Sequence, residues 1–206
     1  MSTSQLVIMP TTNSAYGRSN SKLDICDEES PLNPLSLYAR DKVEIEEILL
    51  GLKNAVSFRL ATVFGLSPRM RLDLLVNNFV YRALKDNFLV LFEAHFRRNY
   101  IHVRDVVQAF TLALANPDAF IGNVFNVGLS SANLSKYQLC EKIKEQIPDF
   151  VFFESNVGTD PDQRDYIVSN SKIESRGFRP SVTLDQGIGE LIKGLPMFSH
   201  NEFTNK

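Results

Sequence analysis

The spacing of apolar positions changes several times along this chain, and each change marks an element. Leu6-Val7-Ile8-Met9, inside Gln5 to Pro10, is an unbroken apolar run too short for a helix and predicts a buried strand. A hydroxyl-rich loop, Thr11 to Gly17, follows, and Arg18 to Asn33 has loop composition with an acidic turn, Asp27 to Pro31, expected in solvent. Val43 to Gly51 changes to a helical pattern, with Ile45, Ile48 and Leu49 apolar and Glu44, Glu46 and Glu47 between them. Ala55 to Leu60 is a second strand, ended by Thr62-Val63-Phe64-Gly65. Strand, helix, strand at these lengths predicts a parallel crossover. Further on, the pattern predicts helices over Leu72–Leu84, Val106–Leu114 (opened by Asp105 as N-cap), Leu134–Ile147 and Leu184–Lys193. Ser135 and Gln138 form a cap-like start for the third of these. Strands are predicted at Phe88–Phe92, around Val124–Val127 and at Phe150–Phe153, with a short helix near Ser171–Glu174 closed by Gly177 and Pro180. The tail after Pro196 is expected to be loose.

Composition narrows the class. A 206-residue chain with 44% hydrophobic and 22% charged residues has the makeup of an ordinary soluble globular domain. Its net charge of −2 gives no electrostatic reason to expect nucleic acid or a membrane surface as partner. No apolar run approaches a membrane span, and no secretory signal pattern is visible. Two cysteines, Cys26 and Cys140, do not make a disulfide framework, which fits a reducing, cytoplasmic setting. Cys26 reads as a loop thiol and Cys140 as a helix-face residue, neither in metal-ligand spacing.

Tyr38 and Lys42 carry the candidate chemistry. They stand at i and i+4 at the start of a helix, so both side chains can point into one site. An ammonium held beside a phenol favours the ionised form that proton transfer needs. Tyr-x-x-x-Lys alone is common by chance. Preceded by a strand that ends in a hydroxyl, Thr12, four residues before the pair Tyr16-Gly17, the arrangement is much rarer. It resembles the extended short-chain dehydrogenase/reductase family of nucleotide-sugar epimerases and dehydratases, and the resemblance implies Thr12, Tyr38 and Lys42 as the catalytic trio.

Other segments extend the resemblance over most of the chain. Arg98-Asn99-Tyr100-Ile101-His102-Val103-Arg104-Asp105 is similar to the family's Arg-x-Tyr/Phe-Ile/Val-His-Val-x-Asp run and implies Arg98 as a phosphate contact, with Arg97 its solvated neighbour and His102 a packed structural histidine. Arg164, in the charged loop Asp160 to Tyr166, is implied as a second phosphate or ribose contact, Asn78 as a diphosphate contact and Thr62 as a substrate contact. Asn126 reads as structural. The fold implied is α/β: the C-terminal part of a Rossmann-like parallel sheet plus a small α/β substrate-binding domain. Residues 1–65 would be the remainder of the NAD-binding domain. Residues 66–196 would be mostly the substrate region, with 99–128 returning to the Rossmann sheet and 197–206 forming a tail.

No Gly-x-x-Gly-x-x-Gly turn occurs anywhere, so the chain reads as lacking the family's N-terminal Rossmann half and, alone, as a weak or inactive enzyme. The implied cofactor is NAD, with NADP left open, and the implied partners are a nucleotide-diphosphate sugar and, at full length, a second copy in a homodimer. Epimerisation or oxidation/reduction is favoured over dehydration, because Asn13 and Ser14 stand where the family's dehydratases carry an acidic pair. Two other readings stay open: a non-catalytic nucleotide-sugar-binding module, and an inactive remnant that partners a separate N-terminal chain.

Overall fold

The structure is a computed structural model that describes residues 5–18, 25–155, 157–159 and 162–198. It is α/β, and its first unit is the expected crossover. β1 (Val7–Thr12) runs into a one-turn 3₁₀ segment, Asn13–Tyr16, and a short strand β2 (Ile25–Cys26) follows. Helix α1 (Leu37–Leu50) then returns the chain to β3 (Ala55–Leu60). β1 and β3 pair in parallel, Val7 opposite Ala55 and Thr12 opposite Leu60. α1 begins where it does because Ser36 caps it, its hydroxyl accepting from Ala39 N at 3.2 Å.

After β3 the chain continues through β4 (Thr62–Phe64), α2 (Leu75–Lys85), β5 (Phe88–Leu91) and β6 (Arg97–His102). Helices α3 (Val103–Ala115) and α4 (Pro117–Phe120) lead back to β7 (Val124–Val127), which pairs in parallel with β3. The remainder comprises β8 (Asn133–Ser135), α5 (Lys136–Gln146), β9 (Val151–Glu154), β10 (Ile167–Val168), α6 (Ser171–Ser175) and α7 (Leu184–Gly194). Sheet order is β1-β3-β7, with smaller groups β4-β6-β8, β5-β9 and β10-β2. The cap at Ser135 is a full capping box with Gln138.

Among the described residues two large apolar clusters form, one on each side of β6, beside a small third one of Tyr16, Cys26, Tyr166 and Val168. Neighbouring strand residues face opposite sides, so Tyr100 packs with Phe64, Val80, Leu139 and Ile188 while Ile101 packs with Val56, Phe58, Phe120 and Phe125. Three expectations change. Asp105 does not cap α3. His102 does, its Nδ1 accepting from Arg104 N at 3.2 Å, which makes it a buried structural histidine. Buried Asp105 instead accepts from Ser181 N and Oγ, both at 2.8 Å, and from Val182 N at 3.1 Å, tying the C-terminal segment to α3. Within the acidic turn, Glu28 is half-buried and accepts from Asn126 N at 2.7 Å, and burial raises its pKa. Cys26 lies in β2, buried, rather than in a loop; Cys140 is buried on α5, where burial raises its thiol pKa to about 12. Leu195–Met197 forms a 3₁₀ turn, and the tail from 199 onward, like the parts of the expected loops at 19–24 and 160–161, lies outside the described residues.

Candidate active site

α1 meets the sheet through one stripe. Ala39 and Glu46 are its buried residues, two turns apart, and Lys42 and Val43 are half-buried between them. A carboxylate facing a sheet is costly unless paired, and Glu46 is fully paired. Its Oε1 accepts from Arg59 Nη2 at 2.6 Å and Nε at 3.0 Å, and Nε also reaches Oε2 at 3.3 Å. Oε2 also accepts from Ser57 Oγ at 2.6 Å and Thr11 Oγ1 at 3.0 Å. Arg59 reaches on to the Tyr16 hydroxyl at 3.0 Å, which in turn donates to Asn126 Oδ1 at 2.7 Å. Burial raises the Tyr16 pKa, opposed by Arg59. This cluster joins α1, β1, β3, β7 and the 3₁₀ turn. Asn126 is structural, as read from sequence; its Nδ2 also donates to Ser169 O at 3.1 Å.

Along the same face, Lys42 Nζ donates to Pro10 O at 3.0 Å and lies 5.9 Å from the Tyr38 ring centroid. Tyr38 is 57% exposed. Thr12, at the end of β1, is buried, accepts from Ser14 N at 3.1 Å and donates to Ser14 Oγ at 3.0 Å. The turn is set by Gly17 (φ +66°), where a Cβ would lie 1.8 Å from Asn33 O. Between Thr12 and Ser14, the Asn13 side chain is 1% exposed and both its amide atoms have no hydrogen-bond partner among the described residues. An orphaned buried amide costs about 1–3 kcal/mol.

Of the phosphate candidates, Arg164 reaches this turn. Arg164 Nη1 hydrogen-bonds Ser14 Oγ, so it is one side chain removed from Thr12. Arg98 is 3% exposed and commits Nη1 to the carbonyls of Arg97 and Arg164 and Nη2 to Asp162 O at 3.4 Å. Arg97 is not the solvated neighbour expected: it is ion-paired to Asp165 at 3.0 Å, and both side chains are mostly buried. Asn78 is half-buried, donating from Nδ2 to Leu72 O at 3.0 Å, while buried Asn77 uses Oδ1 for Gly65 N and Nδ2 for Arg71 O. Thr62 is half-buried in β4, opposite Tyr100. Among the described residues no group of three or more His, Cys, Asp or Glu side chains is gathered as for a metal, and no helix is long and apolar enough to cross a membrane.

Sequence reading missed Glu46, Arg59 and Asp162. For Glu46 a signal existed: it stands at i+4 from Lys42 and i+8 from Tyr38, on the face that must meet the sheet.

Comparison with known proteins agrees with this architecture. Residues 2–128 match the model of the NAD dependent epimerase/dehydratase family. The mouse dTDP-D-glucose 4,6-dehydratase is 26% identical over 85% of this chain and 52% of its own length. A putative UDP-glucose 4-epimerase of Methanocaldococcus jannaschii is 25% identical over 91% of this chain and 62% of its own. In fold, the chain is similar to the dTDP-glucose 4,6-dehydratase of Bacillus anthracis in complex with NAD (TM-score 0.78, 22% identity, 96% of this chain and 63% of that one). It is equally similar to the UDP-glucose 4-epimerase of Thermus thermophilus in complex with NAD (TM-score 0.78, 24% identity, 93% of this chain and 64% of that one). The chain therefore spans between about half and two thirds of the length of these relatives.

Proposed function

The chain belongs to the NAD-dependent epimerase/dehydratase family, and from that membership we propose that it serves epimerisation or oxidation/reduction of a nucleotide-diphosphate sugar through Thr12, Tyr38 and Lys42. The observation that carries this reading is the single face of α1. Glu46 fastens α1 to the sheet, and one turn before it Lys42 reaches Pro10 O, two residues from Thr12, with the Tyr38 ring 5.9 Å from its ammonium.

In this reading Tyr38 Oη takes the proton of a sugar hydroxyl as that carbon is oxidised and returns it on reduction. Thr12 Oγ1 hydrogen-bonds the same oxygen, oriented by Ser14. Such acid–base help is worth about a hundred- to ten-thousandfold in rate. NAD, when bound, supplies the hydride acceptor. The residues present fit its nicotinamide-ribose end: Lys42 Nζ keeps donors beyond the one on Pro10 O, and Tyr38 beside it is exposed. They do not include a Gly-rich pyrophosphate turn, and no residue distinguishes NAD from NADP. Arg164, Arg98, Asn78 and Thr62 are assigned to the nucleotide sugar, Arg164 being the more accessible guanidinium (30% exposed). The epimerase or oxidoreductase reading is kept over dehydration because Asn13 and Ser14 offer no acid to a leaving water. A homodimer is supported by the outer face of α1, where Leu37 and Ile48 are exposed. The setting is read as cytoplasmic.

The test is to incubate the chain with NAD and with UDP-glucose or dTDP-glucose and follow sugar interconversion and NADH absorbance. Conversion by the wild type that falls at least a hundredfold in Tyr38→Phe supports the site. Nucleotide-sugar binding that is equal with and without NAD, with no conversion, would instead assign a binding module. No binding of either sugar nucleotide overturns the proposal.

A further inference from the structure

We propose that Asp162 is a built-in competitor for the anion site, its carboxylate occupying the guanidiniums of Arg98 and Arg164 that a diphosphate would take. The inference rests on the assignment of these arginines to the nucleotide sugar. The Asp162 carboxylate grips Arg164 as a fork, with Nε to Oδ1 and Nη2 to Oδ2 both at 2.5 Å. Oδ1 also meets Arg98 Nη2 at 3.1 Å. One carboxylate thus bridges two guanidiniums, the geometry by which arginines recognise phosphate oxygens. Burial alone would raise the Asp162 pKa, but the two guanidiniums outweigh it and hold the carboxyl well below the usual carboxylate range.

Exposure gives the direction of approach. The Asp162 and Arg164 side chains are 39% and 30% exposed, whereas that of Arg98 is 4% exposed. A ligand coming from solvent meets Asp162 and Arg164 first and reaches Arg98 only where the aspartate yields. Two guanidiniums and one carboxylate leave a net charge of one on the cluster. A monoanion arrives with the same charge and coordinating geometry as the tethered carboxylate and has no advantage over it, since a tether acts as a high local concentration. A diphosphate brings at least two charges and more acceptor oxygens, and so can displace it. Asp162 therefore sets the charge threshold of the site and favours diphosphates over monoanions. Displacement would also reach the candidate catalytic turn, because the same guanidinium of Arg164 holds Ser14, which holds Thr12.

The experiment is calorimetric titration of inorganic pyrophosphate and of acetate, a monoanion, into the full 206-residue chain, as wild type, Asp162→Asn and the double variant Asp162→Asn/Arg164→Gln; acetate binding to the wild type as tightly as pyrophosphate overturns the charge threshold. Asp162→Asn is expected to bind pyrophosphate about tenfold tighter or better, the worth of one charge-assisted contact. The double variant should lose that gain. Pyrophosphate affinity in Asp162→Asn no higher than in wild type overturns the inference, as does absence of binding by both. Should Asp162→Asn not fold, the wild type decides: its Arg164 Nε–H resonance must move on saturation with pyrophosphate, and an unmoved signal in the bound state overturns the inference. A gain for pyrophosphate without binding of UDP-glucose or dTDP-glucose keeps the competitor and removes the nucleotide-sugar reading. Nucleotide-sugar binding with no gain does the reverse.

Discussion

Glu46 and Asp162 each hold an arginine at close range, and their surroundings differ. Glu46 and Arg59 are both almost fully buried, and every oxygen of the carboxylate is taken by a donor from β1 or β3. Asp162 grips Arg164 just as closely, but both are about a third exposed. The first pair has no route to a ligand, and its strength goes into fixing α1 on the sheet. The second can exchange partners with anything from solvent that carries more charge. The same chemical contact is therefore a fastening in one place and an exchangeable contact in the other, and what separates them is access to water rather than distance or residue type.

Four measurements bear on that contrast. Glu46→Ala leaves Arg59 buried without its counter-charge, so we expect a loss of about 3–5 kcal/mol in urea unfolding; a loss below about 1 kcal/mol would mean that Glu46 is no fastening. Gly17→Ala strikes at the turn holding Tyr16, the far member of the Glu46 cluster. Its positive φ and the nearby Asn33 carbonyl predict roughly 1–3 kcal/mol of destabilisation in the same assay. His102 is the intermediate case, a buried ring whose Nε2 faces half-exposed Glu190 at 3.4 Å. Burial holds its pKa below the ordinary 6.5, only partly opposed by Glu190. Stability from this group is full above pH 6.5 and is lost as pH falls toward the folded value, because the unfolded chain takes up the proton first. The slope is at most about 1.4 kcal/mol per pH unit, and His102→Asn, which can keep the cap, should flatten it. Asp162→Ala should change stability least, by less than about 1 kcal/mol at neutral pH, as expected for a partly exposed pair; a loss as large as that of Glu46→Ala would erase the distinction.

Much of this was legible in the chain. The unbroken run at Val7–Met9 and the alternation of helical and strand spacing placed the β1-α1-β3 crossover within a few residues, because the faces of an element are written in its own periodicity. The spacing of Tyr38 and Lys42 put them on one face for the same reason. Asp105 shows where local reading fails. An aspartate before an apolar run has the form of an N-cap, yet His102, three residues earlier, took that position. The carboxylate was then free to bind Ser181 and Val182, more than seventy residues away. Glu28 failed likewise, since nothing near it in sequence foretells Asn126 N.

The sequence by itself determined the element order, the parallel crossover, the pairing of Tyr38 with Lys42 and the family resemblance, all of which follow from spacing within a few turns or a short motif. Only the tertiary structure decided that Glu46 would face inward onto Arg59, that Arg97 would pair with Asp165, and that Asp162 would sit between Arg98 and Arg164. These contacts join residues brought together by packing, and a charged side chain carries no local mark of which partner folding will bring to it or how much water will be left around the pair.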